Sequence, residues 1–321
     1  MRFRDKELLF WREVFGIHGS AMPLTLLRVF VFGLYAMFVT ALHLSPKYEE
    51  LNLHIGVGPH EVAGAALGLL LVLRTNAGYE RWWEGRKLWG GIVNQSRNLA
   101  IQALAYGPAD RRWRDEFIRW SAAFPHGVRL DLRDQRHSTS MIGLLGREAA
   151  ERVFEARNIP NASSLHIARL LREAHEKLGM DAFAFHQAEE QRGLLIDHMG
   201  ACERIRASPL PLAYRIEIRR FILLFLVTLP FALLEDAGWL TPLVTMLVAA
   251  PILALDKIGT ELQYPFLETS LNHLPLDEIC LKIETDLLAM LEADAAAGDG
   301  RAADDGAAGR REPSPGRSRS H

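Results

Sequence analysis

The sequence predicts an all-α membrane protein with four transmembrane helices and a large helical cytosolic region. Three observations carry this reading. Four stretches lack charge altogether: Val29–Pro46, Val62–Leu73, Phe221–Leu234 and Ala237–Leu255. The basic residues are sorted to one side of those stretches. Nowhere does a run of alternating β-branched residues argue for a sheet.

Hydropathy by itself leaves the membrane open. A helix needs about 20 apolar residues to cross the hydrocarbon core. The four stretches hold 18, 12, 14 and 19 residues, so only the first and last approach that length. The middle two also read as buried helices of a soluble protein. Charge sorting favours the membrane. Arg2, Arg4, Lys6, Arg12 and Arg28 precede the first stretch, and Arg74, Arg81, Arg86, Lys87 and Arg97 follow the second. Arg215, Arg219 and Arg220 lead into the third. The link Ser45–Glu61 has one lysine against three glutamates, and Glu235–Trp239 has no basic residue. Basic flanks face the cytoplasm, so both termini are expected inside, with two short outer links. Met1–Arg12 is charged throughout and shows no small-residue cleavage site, so the spans are expected to stay as anchors.

Residues 74–220 are too charged for lipid. Gly78–Ala105 keeps Tyr79, Trp82, Trp83, Leu88 and Ile92 at helical spacing, and Tyr106-Gly107-Pro108 ends it. Further helices are expected over Asp110–Phe124 and Ser138–Ala156, from Leu165, and from Asp181 to before Pro209. Asn158–Ser164, rich in Asn, Pro and Ser, reads as a loop. The tail from Ala295 to His321 has no apolar residue larger than alanine apart from proline. It should be disordered, because it cannot offset its chain entropy by burial. The expected divisions are 1–22 cytosolic, 23–73 with two spans, 74–220 cytosolic and helical, 221–255 with two spans, 256–294 packing on the core, and 295–321 as tail.

Composition excludes several function classes. A net charge of −2 gives no electrostatic pull toward nucleic acid. Two cysteines, Cys202 and Cys280, make no disulfide framework. The sequence has no phosphate-binding glycine loop and no His-Glu-x-x-His, and its twelve histidines are scattered. Asp256, Glu261 and Glu268 are too far apart for an EF-hand loop. No enzyme, metal site or cofactor is expected.

The second stretch is the most informative. Gly64 and Gly68 stand four apart, the small-residue spacing that lets helices approach closely in a membrane. Ala65, Leu69 and Leu73 share a neighbouring stripe. In a ring of identical helices such a stripe lines the axis as stacked apolar constrictions that gate by dewetting; periodicity by itself favours ordinary core packing. Glu61 opens the helix after Gly58-Pro59, where proline costs nothing. A ring of Glu61 carboxylates draws cations, whereas helix N-termini draw anions, so selectivity stays open. Arg28 either snorkels to the membrane edge or is paired inside. Trp82, Trp83 and Trp89 form either an interfacial belt or a helix–helix core.

Residues 74–90 read Arg74-Thr-Asn76-Ala-Gly-Tyr79-Glu-Arg81-Trp82-Trp83-Glu84-Gly-Arg86-Lys-Leu-Trp89-Gly. This run closely resembles the signature of bacterial bestrophin-like channels. His18-Gly19-Ser20, Cys202-Glu203-Arg204 with Pro209-Leu-Pro211 and Tyr214, and Leu274-Pro275-Leu276 with Cys280 resemble further family motifs, in the family's order. The resemblance covers roughly residues 5–293. It implies a homopentamer with one axial ion pathway across the bacterial inner membrane, passing small ions: anions such as chloride by family, with cations open. Ala65, Leu69 and Leu73 match the three rings of the family's neck, with alanine where a larger apolar residue is usual. Phe183, nineteen residues before Cys202, matches the cytosolic aperture. The family's acidic calcium stretch is Gln263-Tyr-Pro-Phe266 and Asn272-His-Leu-Pro275 here, so calcium activation is not expected. Two other readings stand beside the channel: a non-conducting membrane scaffold of the same fold, and a soluble helical protein.

Overall fold

The computed structural model describes residue 16, residues 21–45 and residues 55–308, with side chains as far as 297. His18-Gly19-Ser20 lies outside the described residues. Every regular element among them is helical: α1 Met22–His43, α2 Val57–Tyr106, α3 Arg111–Leu132, α4 Thr139–Leu145, α5 Arg147–Phe154, α6 Ile159–Lys177, α7 Ala182–Ala207, α8 Leu212–Ala237, a 3-10 turn Gly238–Leu240, α9 Thr241–Glu261 and α10 Leu276–Ala308. The chain forms two compact units. One takes the residues up to Lys87 with Arg204–Leu274; the other takes Leu88–Glu203 with the residues from Pro275 on.

The first unit holds the apolar helices. α1 packs chiefly on α9, and α9 on α8. Val29, Leu67, Leu71, Ile222, Phe225, Leu226 and Leu253 form its buried core. At Gly33 a Cβ would stand 2.5 Å from the Met246 sulfur, so a larger residue there would have to displace the Met246 side chain. The Tyr35 hydroxyl donates to the Val227 carbonyl at 3.1 Å and ties α1 to α8. The outer faces are apolar too: Leu24, Leu27, Phe30, Leu34 and Phe38 of α1, and Leu223, Leu224, Leu243 and Leu247 of α8 and α9, are exposed. So many large apolar side chains exposed on neighbouring helices mark a surface for lipid or for another protein. Three helical stretches are long and apolar enough to cross a membrane, Met22–His43, Val57–Tyr106 and Leu212–Glu261. The sequence reading counts four spans, and the third stretch contains two of them. α8 and α9 are joined there by the single turn at Gly238, whose φ of +52° ends α8.

The second unit is built round α3. Asp110 caps it by accepting from the Trp113 amide at 2.7 Å. Trp113, Phe117, Ile118, Phe124 and Val128 are buried, α3 packs on α6 and α10, and the Trp113 indole donates to the Leu170 carbonyl at 2.9 Å. Polar pairs line the α3–α10 contact: Arg114 with Asp294 at 2.6 Å, His126 with Glu284 at 2.9 Å, and both Arg129 and Arg133 with Asp277.

Four helix limits depart from the sequence reading. α3 does not stop at Phe124; it runs through Pro125 to Leu132, because burial of Val128, Leu130 and Leu132 outweighs the amide bond that proline removes. Ser138–Ala156 is two helices, broken at Gly146 with φ +78°. Asn158–Ser164 is no loop but the start of α6: Asn158 accepts from the Asn161 amide at 2.8 Å and Pro160 sits in the first turn. The residue types that suggested a loop are the cap and first turn of a helix. α10 continues to Ala308, past the expected limit at 294; seven alanines between 295 and 308 favour the helix although Gly298, Gly300 and Gly306 oppose it. Residues 309–321 lie outside the described residues.

Candidate functional site: an apolar stripe above a buried ion pair

The site is built on α2. At 1.5 Å per residue its 50 residues extend about 75 Å. Between Glu61 and Leu73 the helix has two unlike faces. Leu67 and Leu71 are 1% and 2% exposed, packed against α8 and α9. Leu69 and Leu73, on the other face, are 62% and 51% exposed, and Ala65 and Glu61 are exposed with them. The three candidate neck residues thus share one open stripe, which continues through Asn76 and Tyr79. The core-packing alternative for this stripe does not hold within the chain. Of the two spaced glycines, Gly64 serves close packing: a Cβ there would lie 3.4 Å from the Phe225 ring, while Gly68 faces open space.

Immediately below the stripe, Arg74 turns inward and is fully buried. Its Nη1 donates to Asp256 Oδ1 and its Nη2 to Thr260 Oγ1 at 2.8 Å, while the Thr260 hydroxyl donates to the Asp256 carbonyl at 2.8 Å. A charge in such a place is tolerated only when paired and hydrogen-bonded. α2 and α9 meet closely next to it. A Cβ on Gly78 would lie 3.2 Å from the Gly259 carbonyl oxygen, and one on Gly259 3.5 Å from Thr75.

The remaining signature residues divide by face. Arg81 donates to the carbonyls of Ile205 and Ser208, and the Trp82 indole donates to the Asn272 carbonyl at 2.7 Å. A Cβ on Gly85 would meet the Phe266 ring at 3.2 Å, and Trp89 is fully buried. Tyr79 stacks with Trp82 and Trp83 on the open side. Glu84 pairs with Lys87 at 2.7 Å, and Arg86 is exposed. The signature therefore mainly fixes how α2 is held. Trp89 is helix core, Trp82 is a half-buried tether, and Trp83 is exposed.

Phe183 belongs to the second unit. The Asp181 carboxylate accepts from the amides of Phe183 and Ala184 at 2.8 and 3.2 Å and starts α7 there. The phenyl ring is 71% exposed and borders a cavity of about 460 Å³ with Gln102, Tyr106 and Gln187.

In the stretch matching the family's calcium site, the Gln263 amide donates to the Gly259 carbonyl at 2.8 Å, and His273 bonds the Ser270 carbonyl at 2.8 Å. Among the described residues no three His, Cys, Asp or Glu side chains group so as to hold a metal ion. Cys202 and Cys280 are buried and not disulfide-bonded, and burial pushes the Cys280 thiol up to about 12.

The family model described as bacterial and fungal bestrophin protein matches residues 1–289. The chain belongs to the bestrophin family. Its bestrophin relatives include the voltage-dependent anion channel-forming protein RSc3414 of Ralstonia nicotianae, 33% identical over 282 residues, or 86% of this chain and 88% of that one. The voltage-dependent anion channel-forming protein YneE of Salmonella typhi is 31% identical over 279 residues, 87% and 90% of the two chains. A crystal structure of a bacterial bestrophin homologue from Klebsiella pneumoniae is similar with a TM-score of 0.77 at 27% identity, covering 83% of this chain and 98% of that one. The bestrophin fold is thus common to both. What the sequence reading missed in this bestrophin is the Asp256–Thr260 receptor for Arg74. Its one available signal was a lone acid at the end of an uncharged stretch.

Proposed function

We propose that this bestrophin assembles with identical copies, as a homopentamer, into a channel for small ions in the bacterial inner membrane, with both termini cytosolic. Ala65, Leu69 and Leu73 form its hydrophobic neck, Glu61 sets the charge at its entrance, and Phe183 forms the cytosolic aperture. The observation that carries this reading is the exposure of Leu69 and Leu73 at 62% and 51%, opposite Leu67 and Leu71 at 1% and 2%. Leucines turned away from their own core need another apolar surface or a dry constriction. A ring of α2 helices supplies both, since one flank packs on the neighbour and the stripe faces the axis. Anions such as chloride are the assigned cargo, supported by the names of the relatives as anion channel-forming proteins. Purified protein in detergent is expected at the mass of five chains, and reconstituted protein is expected to pass current across a planar bilayer. Assembled protein that carries no current would favour a non-conducting scaffold of the same fold.

A further inference from the structure

A second basic site lies away from the stripe. Arg28 of α1, Arg219 of α8 and Asp256 of α9 border a small cavity of about 180 Å³, with Phe32, Ile222 and Leu223 as apolar walls. Among the described residues its charge is not balanced: Asp256 is the one acid bordering the cavity, and Arg74 already holds its Oδ1. Arg219 reaches Oδ2 only at 3.7 Å, with 55% of its side chain exposed. Arg28 is exposed and has no carboxylate within ion-pair distance among the described residues. Among the described residues this favours the reading in which Arg28 reaches toward the membrane edge. The exposed Leu24 stands one turn before Arg28 on the same face of α1, and Leu223 borders the cavity and is exposed.

A ligand that satisfies this arrangement must be anionic at one end and apolar along the other. It must accept hydrogen bonds from planar guanidinium groups, as a phosphate does. It must also lay hydrocarbon on the leucines next to them. We propose that Arg28 and Arg219 form a binding site for the headgroup of an anionic phospholipid, whose phosphodiester meets the guanidiniums without the ammonium that a zwitterionic headgroup would bring beside them, and whose acyl chains lie on the outer faces of α1 and α8. Basic pockets between membrane helices on the cytoplasmic side are suited to such headgroups. Charge sorting places both arginines on that side. Arg219 shares Asp256 with Arg74, the residue that follows Leu73, so the bound headgroup draws Arg219 away from the carboxylate that anchors the end of the stripe. The proposal requires that the chain be embedded in a membrane, not that it conducts.

The test is native mass spectrometry of the full-length protein in detergent, relipidated with equal phosphatidylglycerol and phosphatidylcholine of the same acyl composition. Wild type is expected to retain phosphatidylglycerol preferentially. Arg28→Gln breaks no ion pair among the described residues and should cut that preference roughly tenfold, the worth of one charge-assisted hydrogen bond. Arg219→Gln should act in the same direction. Arg220→Gln is the control: that arginine is exposed, pairs with Glu217 at 2.7 Å and does not border the cavity, so its loss should change nothing. A millimolar excess of inorganic phosphate should not displace the lipid. Equal retention of the two lipids by wild type overturns the proposal whatever the variants do. So does an unchanged preference in well-assembled Arg28→Gln, an equal fall in Arg220→Gln, or displacement by free phosphate. Because no current is measured, a protein that fails to conduct leaves this result unaffected.

Discussion

Arg74 and Asp256 form an ion pair in which the arginine side chain is fully buried and the aspartate side chain is 6% exposed. The pair joins α2 to α9 one residue past Leu73, the last residue of the exposed stripe. Removing one partner would strand the other charge away from water, which costs about 3–5 kcal/mol. Asp256→Ala is therefore expected to lower the thermal midpoint of detergent-solubilised protein sharply and to reduce the yield of assembled channel. Replacing both residues, as Arg74→Met with Asp256→Leu, should recover part of that loss. An unshifted midpoint in the single variant would remove the pair from the account.

Leu73→Ala should raise conductance or open probability, and Leu69→Ser should do the same by wetting its level of the stripe. The pair together should have the largest effect, and Ala65→Ser little. Truncating a buried leucine costs about 2–5 kcal/mol, but these two side chains are exposed within the chain, so much smaller losses of stability are expected. Bilayer recording and thermal unfolding on the same variants check both halves. Well-assembled variants with wild-type currents would exclude these leucines as the gate.

Glu61 is exposed at the N-terminal end of the stripe, where its carboxylate and the amide ends of α2 pull in opposite directions. Glu61→Gln removes the term that favours cations. The reversal potential in a salt gradient should move toward that of chloride. A shift toward the cation potential would contradict this place for Glu61.

In the second unit, burial holds the His126 imidazole below its ordinary value despite Glu284 beside it, and Arg129 pushes in the same direction. The unfolded chain, with an ordinary histidine near 6.5, therefore takes up the proton first on acidification. Stability is full above about pH 6.5 and falls as the pH drops from there toward the lower folded value. His126→Asn should flatten the decline in thermal midpoint between about pH 7 and pH 5.5. An equally steep decline in the variant would assign it to other groups.

Topology is checked by cysteine labelling. Lys47→Cys and Trp239→Cys, in a background lacking Cys202 and Cys280, should react with an impermeant reagent from outside. Trp239 is chosen over its neighbour Gly238 because it is 77% exposed, while the φ of +52° at Gly238 would strain any substitute. Labelling from outside of a cysteine placed at residue 150 would overturn the orientation.

The sequence by itself determined the helical class, the break at Tyr106-Gly107-Pro108 and the family. These are matters of local spacing, of charge sorting along the chain and of one long motif, all of which one-dimensional order retains. Asn158 and Pro160 were misread because a cap and a loop use the same residues, and only the amide that Asn158 accepts from tells them apart. The expected end at Phe124 failed for the complementary reason: burial of the turns beyond Pro125, invisible locally, outweighed one missing hydrogen bond. What only the tertiary structure decided is which side of α2 is core. Leu67 and Leu69 are the same residue type two positions apart, yet one is 1% and the other 62% exposed. The partner of Arg74 stands 182 positions away. A buried charge must meet its counter-charge through packing, and packing depends on how α2, α8 and α9 come together, which no single stretch of sequence contains.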